Sequence, residues 1–497
     1  MNWSPYQLAV FDFNINRPEN GFINAVAGSG KTTVIVECIQ NIPITQTVLA
    51  VAFGRDIKKT LEAKLGMFPN VTVKTLNGFG YAACRRNLGK YINIKGTKVT
   101  DTLFYDVIGG PKASQEQKDL YYRSRYLISK IIAIWKADMC FSPSIGDMVD
   151  VMDRFNLNLP RDTSEQQIFG LTVVTFDKCM EKTTVMDFDD QIVMPLYHNW
   201  SLESYDRVFV DEAQDLTPAQ IELTRRAVSG RAIYVGDPRQ AIYQFRGADS
   251  MAVGNIIATM NCVELPLSIC YRCSKAVVRA AQKIVPHIEC SDSAPEGVEK
   301  EIDAKEFKSL VKEDDLVLCR CTAPLVSACL DFIRDGRKAT IKGREIGEQL
   351  IELIENVADD VDDLETFNIR LSDYVRLKET KLRSEQARIA LLDTYETIIC
   401  LYERADSVRE LLELICKIFS DGDAPGILLM TGHKSKGLEH ENVFILREDL
   451  IPHKLATTEE AQLAESNLLY VMLTRAKSNL YHVGKKSKLL EKHVEES

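Results

Sequence analysis

Short apolar runs bounded by glycine or polar residues alternate with longer mixed segments along most of this chain. Gly21-Phe-Ile-Asn24, Thr47-Val-Leu-Ala-Val-Ala52 and Val71-Thr-Val-Lys-Thr75 predict short strands. Helices are predicted over 34–39, over 58–65 and from Gly78 onward. Strand–helix alternation at this spacing predicts a parallel α/β sheet with right-handed crossovers. The alternation stops between about Asn87 and Met180, where the centre, 121–135, reads as a helix mixing charged and aromatic residues. It resumes at Arg207-Val-Phe-Val210 and Ala232-Ile-Tyr-Val235. A second α/β unit is expected from near Val263, with strands at 316–319, 426–430 and 442–445 around a helical stretch from Gly347 to Ser420. The expected fold is therefore α/β, two domains in tandem, each with a mainly helical insertion. The expected boundaries are 1–86 with 181–255 for the first domain and 87–180 for its insertion. The second domain takes 256–350 with 421–497, and its short insertion 351–420. No internal repeat or low-complexity tract breaks this pattern.

Composition narrows the picture. With 497 residues and 45% hydrophobic content the chain can build two or three domain cores. It holds no apolar run long enough to span a bilayer, and its first residues lack the basic-then-apolar pattern of a signal peptide. Thirteen cysteines, an odd number scattered through core-like segments, fit reduced thiols in a cytoplasmic or nuclear setting. Cys270-Tyr-Arg-Cys273, with Cys262 and Cys290 nearby, matches no standard zinc spacing and reads as structural. The net charge is −10, but its distribution is uneven. From Gly54 to Lys136 sixteen Lys/Arg stand against six Asp/Glu, a balance of +10. From Glu345 to Asp423 nine stand against twenty, a balance of −11. A basic segment in an acidic chain suits a phosphate-tracking surface, although solvated faces alone would give the same asymmetry.

Ala25-Val-Ala-Gly-Ser-Gly-Lys-Thr-Thr33 supplies the chemistry. A strand, a glycine loop and a helix start form the phosphate cradle of P-loop NTPases, here with Ala25 at the place of the first glycine. Ala27, Gly28, Ser29 and Gly30 present backbone amides, Lys31 can reach the outer phosphates, and the Thr32 hydroxyl can ligate Mg²⁺ with Thr33 beside it. An ordinary glycine turn before a buried helix would look similar. The second motif, Asp211-Glu-Ala-Gln-Asp215 directly after an apolar strand, argues against that. Asp211 can hold the Mg²⁺, and Glu212 can orient or deprotonate the attacking water. Both motifs point to binding and hydrolysis of a nucleoside triphosphate.

Six further segments make the chain resemble the UvrD/Rep-like superfamily 1 helicases, and within them the helicase core of the F-box DNA helicases. The resemblance covers both α/β units. It implies two RecA-like P-loop domains that use ATP and Mg²⁺ on single-stranded and duplex DNA, with replication or recombination proteins as partners and no membrane. Ser4-Pro-Tyr-Gln7 resembles the adenine-reading segment, through Gln7. Leu49-Ala-Val-Ala-Phe53 and Val73-Lys-Thr-Leu-Asn-Gly-Phe79 resemble segments that meet single-stranded DNA, implicating Phe53, Thr75 and Phe79, with Asn77 where a histidine is usual. Tyr234 to Ala248 resembles the segment in which Gln240 senses the γ-phosphate and Tyr243, Phe245 and Arg246 stack on bases. In Ile269-Cys-Tyr-Arg272 the resemblance places Tyr271 on adenine and Arg272 on the γ-phosphate. In Leu429 to Glu439 it places His433 on DNA and Gly437 and Glu439 at the nucleotide. In Asn467 to Lys477 it makes Arg475 an arginine finger.

The expected activity is that of an ATP-dependent DNA helicase, moving 3′-to-5′ by family inference. A single-strand translocase that strips proteins or recombinase filaments, and an ATP-gated subunit of a recombination or defence complex, are the alternatives. Neither an F-box segment before Ser4 nor a nuclease motif after Lys477 is read.

Overall fold

The computed structural model describes residues 3–491 apart from 90, 156, 158, 161, 243–251, 360, 381, 383–384 and 421–425. It divides into two compact units: Met1–Ala25 with Gly30–Leu267, and Val26–Ser29 with Ser268–Ser497.

The first unit is built on six strands: β1 (Gly21–Ala25), β2 (Val48–Ala52), β3 (Val71–Thr75), β4 (Tyr205–Val210), β5 (Val228–Gly236) and β6 (Val263–Leu267). They lie in the order β3-β2-β4-β5-β1-β6, every pair parallel. Side chains alternate across a pleated strand, and a parallel sheet is covered on both faces, so the apolar runs feed two cores. Val48, Ala50, Ile23, Phe209, Ile233 and Val235 meet Val10, Val34 and Ile39 on one face. Phe22, Leu49, Val51, Val208, Val210 and Tyr234 join the other core, which runs without a break into Leu127, Ile128, Ile131, Trp135 and Phe176 of the insertion. The insertion is thus packed as a continuation of the sheet's own core. Its largest helix, Gln115–Ala137, starts from a Ser114 capping box and buries one face.

A buried ionic cluster sits where the insertion meets the sheet. Lys98 Nζ donates to Asp190 Oδ2 (2.6 Å) and to the carbonyls of Cys179 (2.6 Å) and Lys182 (3.0 Å). Lys136 Nζ lies 2.6 Å from Asp187 Oδ2 and 2.7 Å from Asp190 Oδ1. Burial alone would raise the Asp190 pKa, but Lys136 and Lys98 outweigh it and hold the carboxyl below its ordinary value.

The second unit carries seven parallel strands: β7 (Val298–Ile302), β8 (Leu316–Cys319), β9 (Ala339–Lys342), β10 (Phe419–Ser420), β11 (Ile427–Thr431), β12 (His440–Leu446) and β13 (Ala476–Val483). Their order is β7-β13-β12-β8-β11-β9-β10. The short insertion is four helices, Arg344–Ala358, Leu364–Glu379, Glu385–Tyr402 and Val408–Ile418. Leu350, Phe367, Leu371, Ile398, Leu411 and Ile415 share one core with Val317 and Phe444 of the sheet. Asp393 of the insertion accepts from the backbone (2.7 Å) and hydroxyl (2.9 Å) of Thr322, the first residue of the helix Thr322–Arg334. At the far side of the sheet His482 Nδ1 contacts Glu448, its Nε2 lies 3.4 Å from Glu299, and Lys486 reaches Glu299 (3.0 Å) and Glu301 (3.3 Å).

One expectation is corrected. Val263–Leu267 was expected to open the second unit, yet it pairs in parallel with Gly21–Ala25 as an edge of the first sheet, and the second unit resumes at Ser268. Its three exposed positions and Pro266 fit an edge, where one ladder of hydrogen bonds is not needed.

Candidate active site

Because every strand of the first sheet points the same way, the residues that follow their carboxyl ends collect along one edge, the place where open α/β sheets bind ligands. That edge receives the loop after Ala25, Phe53 after Ala52, Thr75, Asp211 after Val210 and Asp237 after Gly236.

Gly28 (φ 69°) and Gly30 (φ 82°) take left-handed backbone, which glycine adopts without strain. Gly30 opens the helix Lys31–Gln40 with no side-chain cap, so the first-turn amides have no partner from a capping side chain. The Ser29 hydroxyl is buried and has no hydrogen-bond partner among the described residues. Uncapped amides, an orphaned buried hydroxyl and an adjacent lysine are the donor set that phosphate oxygens require. Gln7 lies beside this turn: a side chain at Gly30 would come within 3.9 Å of Gln7 Nε2. The Gln7 carbonyl accepts from Ser4 N (3.0 Å), closing a capping box, while its amide nitrogen is the atom nearest the loop.

Lys31 Nζ donates to Glu212 Oε2 at 2.9 Å, and Thr32 Oγ1 donates to Asp211 Oδ2 at 3.3 Å. Burial opposes the charge on Lys31, but Glu212, Asp211 and Asp237 outweigh it and raise its pKa. Burial, then Glu212, pushes Asp211 up to about 6 against the pull of Lys31. Glu212 occupies the left-handed region (φ 52°), unusual for a residue with a side chain, and this turn aims its carboxylate at Lys31. Thr32 and Asp211 bring two hard oxygen donors together, as Mg²⁺ requires.

Two residues outside the sequence-derived set complete the cluster. Gln214 Nε2 donates to Glu212 Oε2 (2.6 Å), and Gln214 Oε1 accepts from Asp237 N (3.0 Å). Asp237 Oδ2 then accepts from Gln240 Nε2 (2.7 Å). A chain of contacts therefore links Lys31 to Gln240 through Glu212, Gln214 and Asp237. A Cβ at Gly236 would stand 2.6 Å from Gln214 Oε1 and 3.1 Å from Gln214 N, so a side chain there would displace Gln214. The signal was their place inside the segments Asp211–Asp215 and Tyr234–Ala248, within three residues of Glu212 and Gln240.

The expected strand-contacting residues divide. Phe53 is exposed at 42% at the tip of its strand. Thr75 Oγ1 caps the helix Leu76–Leu88 by accepting from Gly78 N (3.1 Å). Phe79 is corrected: it is 2% exposed, packed in the first core with its ring 6.3 Å from that of Tyr205, so it has no face for a base. Tyr243, Phe245 and Arg246 lie outside the described residues. Phe188, not anticipated, is 56% exposed, and its carbonyl is held by Asn77 Nδ2 at 2.7 Å, which gives Asn77 a fastening role. Its neighbours gave no signal against a core position, since Asp187 and Asp190 are themselves buried.

In the second unit Glu439 is bracketed by Arg272 Nε (2.7 Å) and Lys477 Nζ (3.0 Å). Burial would raise its pKa, but Lys477 and Arg272 hold it below the usual value. Arg475 is 1% exposed and anchored within its own unit, donating to Val471 O (2.9 Å), Leu438 O (3.0 Å) and Thr474 Oγ1 (3.3 Å). Tyr271 exposes 45% of its surface. Gly437 is an exposed, left-handed turn (φ 87°), and His433 is half-buried in the turn Gly432–Ser435.

Comparison with known proteins agrees with this arrangement. The UvrD/REP helicase N-terminal domain matches residues 14–260, and the UvrD-like helicase C-terminal domain matches residues 153–486. The chain is 23% identical over 529 residues to F-box DNA helicase protein 1 of Schizosaccharomyces pombe, covering 95% of this chain and 56% of the relative. It is 22% identical over 618 residues to the ATP-dependent DNA helicase PcrA of Bacillus subtilis, covering 94% and 81%. To the ATP-dependent DNA helicase Rep of Escherichia coli it is 25% identical over 294 residues, covering 53% and 41%. The chain thus spans little more than half of the fission-yeast relative's length. No helix among the described residues is long and apolar enough to cross a membrane. With both domain families matched in tandem across a parallel-sheet P-loop edge, the chain belongs to the UvrD/Rep-like helicase family.

Proposed function

We propose that this chain is an ATP-dependent DNA helicase that moves along single-stranded DNA, 3′-to-5′, and parts the duplex ahead of it. The observation that carries the reading is the pairing of Lys31 with Glu212 beside Thr32 and Asp211, on the edge that also presents Phe53. Nucleotide and strand contacts on one sheet edge allow the two to be coupled.

In this reading Gly28, Ser29, Gly30 and Lys31 bind phosphate oxygens, and Gln7 and Tyr271 hold the adenine. Thr32 and Asp211 hold Mg²⁺, which when bound neutralises charge on the transferring phosphoryl group. Glu212 accepts a proton from the attacking water, and the Gln214–Asp237–Gln240 chain holds it in place. Arg272 and Arg475 are the cations that the helicase resemblance assigns to the phosphates, Glu439 holds Arg272, and Gly437 is assigned to the nucleotide. Phe53 and Phe188 offer ring faces to bases, and His433 a further strand contact. Stacking tolerates any sequence, which suits a protein that must pass every base.

The test is ATP turnover with and without single-stranded oligonucleotide, followed by strand release from duplexes bearing a 3′ or a 5′ tail. The expected result is DNA-stimulated turnover, abolished by Lys31→Ala, with release from the 3′-tailed duplex. Turnover indifferent to oligonucleotide overturns the reading, and stimulated turnover without strand release converts it to a translocase.

A further inference from the structure

The helix Gln115–Ala137 turns Tyr121, Ser124, Leu127, Ile128 and Ile131 into the core of the first unit. Its other face displays Tyr122 (59% exposed) and Tyr126 (74% exposed), one turn apart. Beside it the π-helical turn Leu103–Ile108 displays Tyr105, 60% exposed. A π-turn is rare and is found often at functional sites.

Tyr105 and Tyr122 are the ends of a connected series of rings. Tyr105 contacts Phe104 with centroids 4.9 Å apart, Phe104 contacts Tyr121 at 4.9 Å, and Tyr121 contacts Tyr122 at 5.1 Å. The Arg125 guanidinium lies 5.4 Å from the Tyr122 centroid and 5.8 Å from that of Tyr121. Among the described residues Arg125 makes no ion pair, whereas Arg123 reaches Asp162 (3.6 Å) and Lys182 pairs with Asp106. Leaving three large rings in water forgoes the stabilisation that burial would provide, so the fold itself has no need of them there.

We propose that this face is a second nucleic-acid site, a stacking platform for an unpaired DNA strand, separate from the strand contacts at the sheet edge. Rings and a guanidinium plane are what bases stack on, and the helix itself carries Lys118, Arg123, Arg125, Lys130 and Lys136 against Glu116 and Asp119. That charge favours a polyanion over a protein partner, although Tyr and Arg alone would suit either. The inference rests on the helicase reading and deepens it: the platform would retain a strand while the motor steps.

The experiment compares the wild type with Tyr105→Ala/Tyr122→Ala/Tyr126→Ala. It uses a short oligonucleotide of roughly 10 bases, enough for one contact site, and a strand several times longer. ATP turnover stimulated by the short strand stays intact in the variant, while affinity for the long strand falls at least about tenfold. Triple Tyr→Phe substitution retains the affinity, and Arg125→Glu lowers it. Strands carrying photoreactive iododeoxyuridine crosslink to Tyr122 or Tyr126 from unpaired segments. Unchanged long-strand affinity, or crosslinks confined to base-paired DNA, overturns the platform while leaving the helicase reading standing. If the wild type shows no stimulation by the short strand, the helicase reading has failed, and the platform with it.

Discussion

Replacing Asp190 by Asn tests whether the buried cluster fastens the first insertion to its sheet. Asp190 offers one oxygen to Lys98 (2.6 Å) and the other to Lys136 (2.7 Å), and the carboxylate and both ammonium groups are buried. Asn keeps the shape but supplies only one acceptor, and turns its NH₂ toward the second ammonium. Whichever ammonium meets the NH₂ is left with its remaining partners, the Cys179 and Lys182 carbonyls for Lys98 or Asp187 for Lys136. Removing one member of a buried ion pair costs about 3–5 kcal/mol, because the remaining charges stay buried and uncompensated. At about 2–4 °C per kcal/mol for a domain of this size class, that is a fall of roughly 10 °C in Tm. All three tryptophans, Trp3, Trp135 and Trp200, belong to the first unit, and Trp135 adjoins Lys136, so urea unfolding followed by tryptophan fluorescence reads the right part of the molecule. Lys58→Ala is the control, since it breaks an exposed pair with Glu62 (3.0 Å) worth under about 0.5 kcal/mol. A loss below about 1 kcal/mol for Asp190→Asn would show that the cluster is dispensable and that the shared apolar core alone holds the insertion.

Three other outcomes are expected. Glu212→Gln lowers DNA-stimulated ATP turnover about 10²–10⁴-fold, and Arg475→Ala lowers it about 10³–10⁵-fold; pre-steady-state phosphate release separates loss of chemistry from loss of binding. Phe53→Ala and Phe188→Ala each weaken single-strand binding by about 1–3 kcal/mol in a fluorescence titration, whereas Phe79→Ala acts through stability, because its ring is in the core. Stability of the second unit depends on pH through Glu299 and His482. Contact with His482, then Lys486, lowers Glu299 from 4.5 to about 2, so its contribution is complete above 4.5 and fades as the pH falls toward 2. Burial works against the charge on His482, but Glu299 and Glu448 raise its pKa, so its contribution is complete below 6.5 and is lost as the pH rises through the raised value. Equilibrium unfolding across pH should therefore show an acid limb flattened by Glu299→Gln and an alkaline limb flattened by His482→Gln.

Most of the strands were legible because a strand buried on both faces must be apolar throughout, as in Val48–Ala52 and Leu316–Cys319. Val298–Ile302, reading Val-Glu-Lys-Glu-Ile, was not, since four of its five positions are not buried and its neighbour is Ala476–Val483, far along the chain. Val263 was read only as the approximate start of the second unit, because adjacency in sequence hid the pairing of Val263–Leu267 with Gly21–Ala25. The nucleotide-facing residues were legible for a chemical reason: phosphate and metal restrict which residue types can follow those strands. Gln214 and Asp237 escaped because their roles lie in side-chain contacts with each other's segments. Phe79 misled because an aromatic at a helix start fits a core as readily as a base.

The order β3-β2-β4-β5-β1-β6 also governs when this protein can acquire its shape. The strand leading into the phosphate loop, Gly21–Ala25, has as neighbours only Val228–Gly236 and Val263–Leu267. During synthesis, at about 5–20 residues per second, it therefore leaves the ribosome roughly 10–50 seconds before the strands that flank it. Over that interval an apolar strand and a glycine loop wait unpaired, and closing so long a loop makes folding slow. The place beside Val228–Gly236 that brings Asp237 to the loop thus leaves that loop exposed to misassembly while the chain is incomplete.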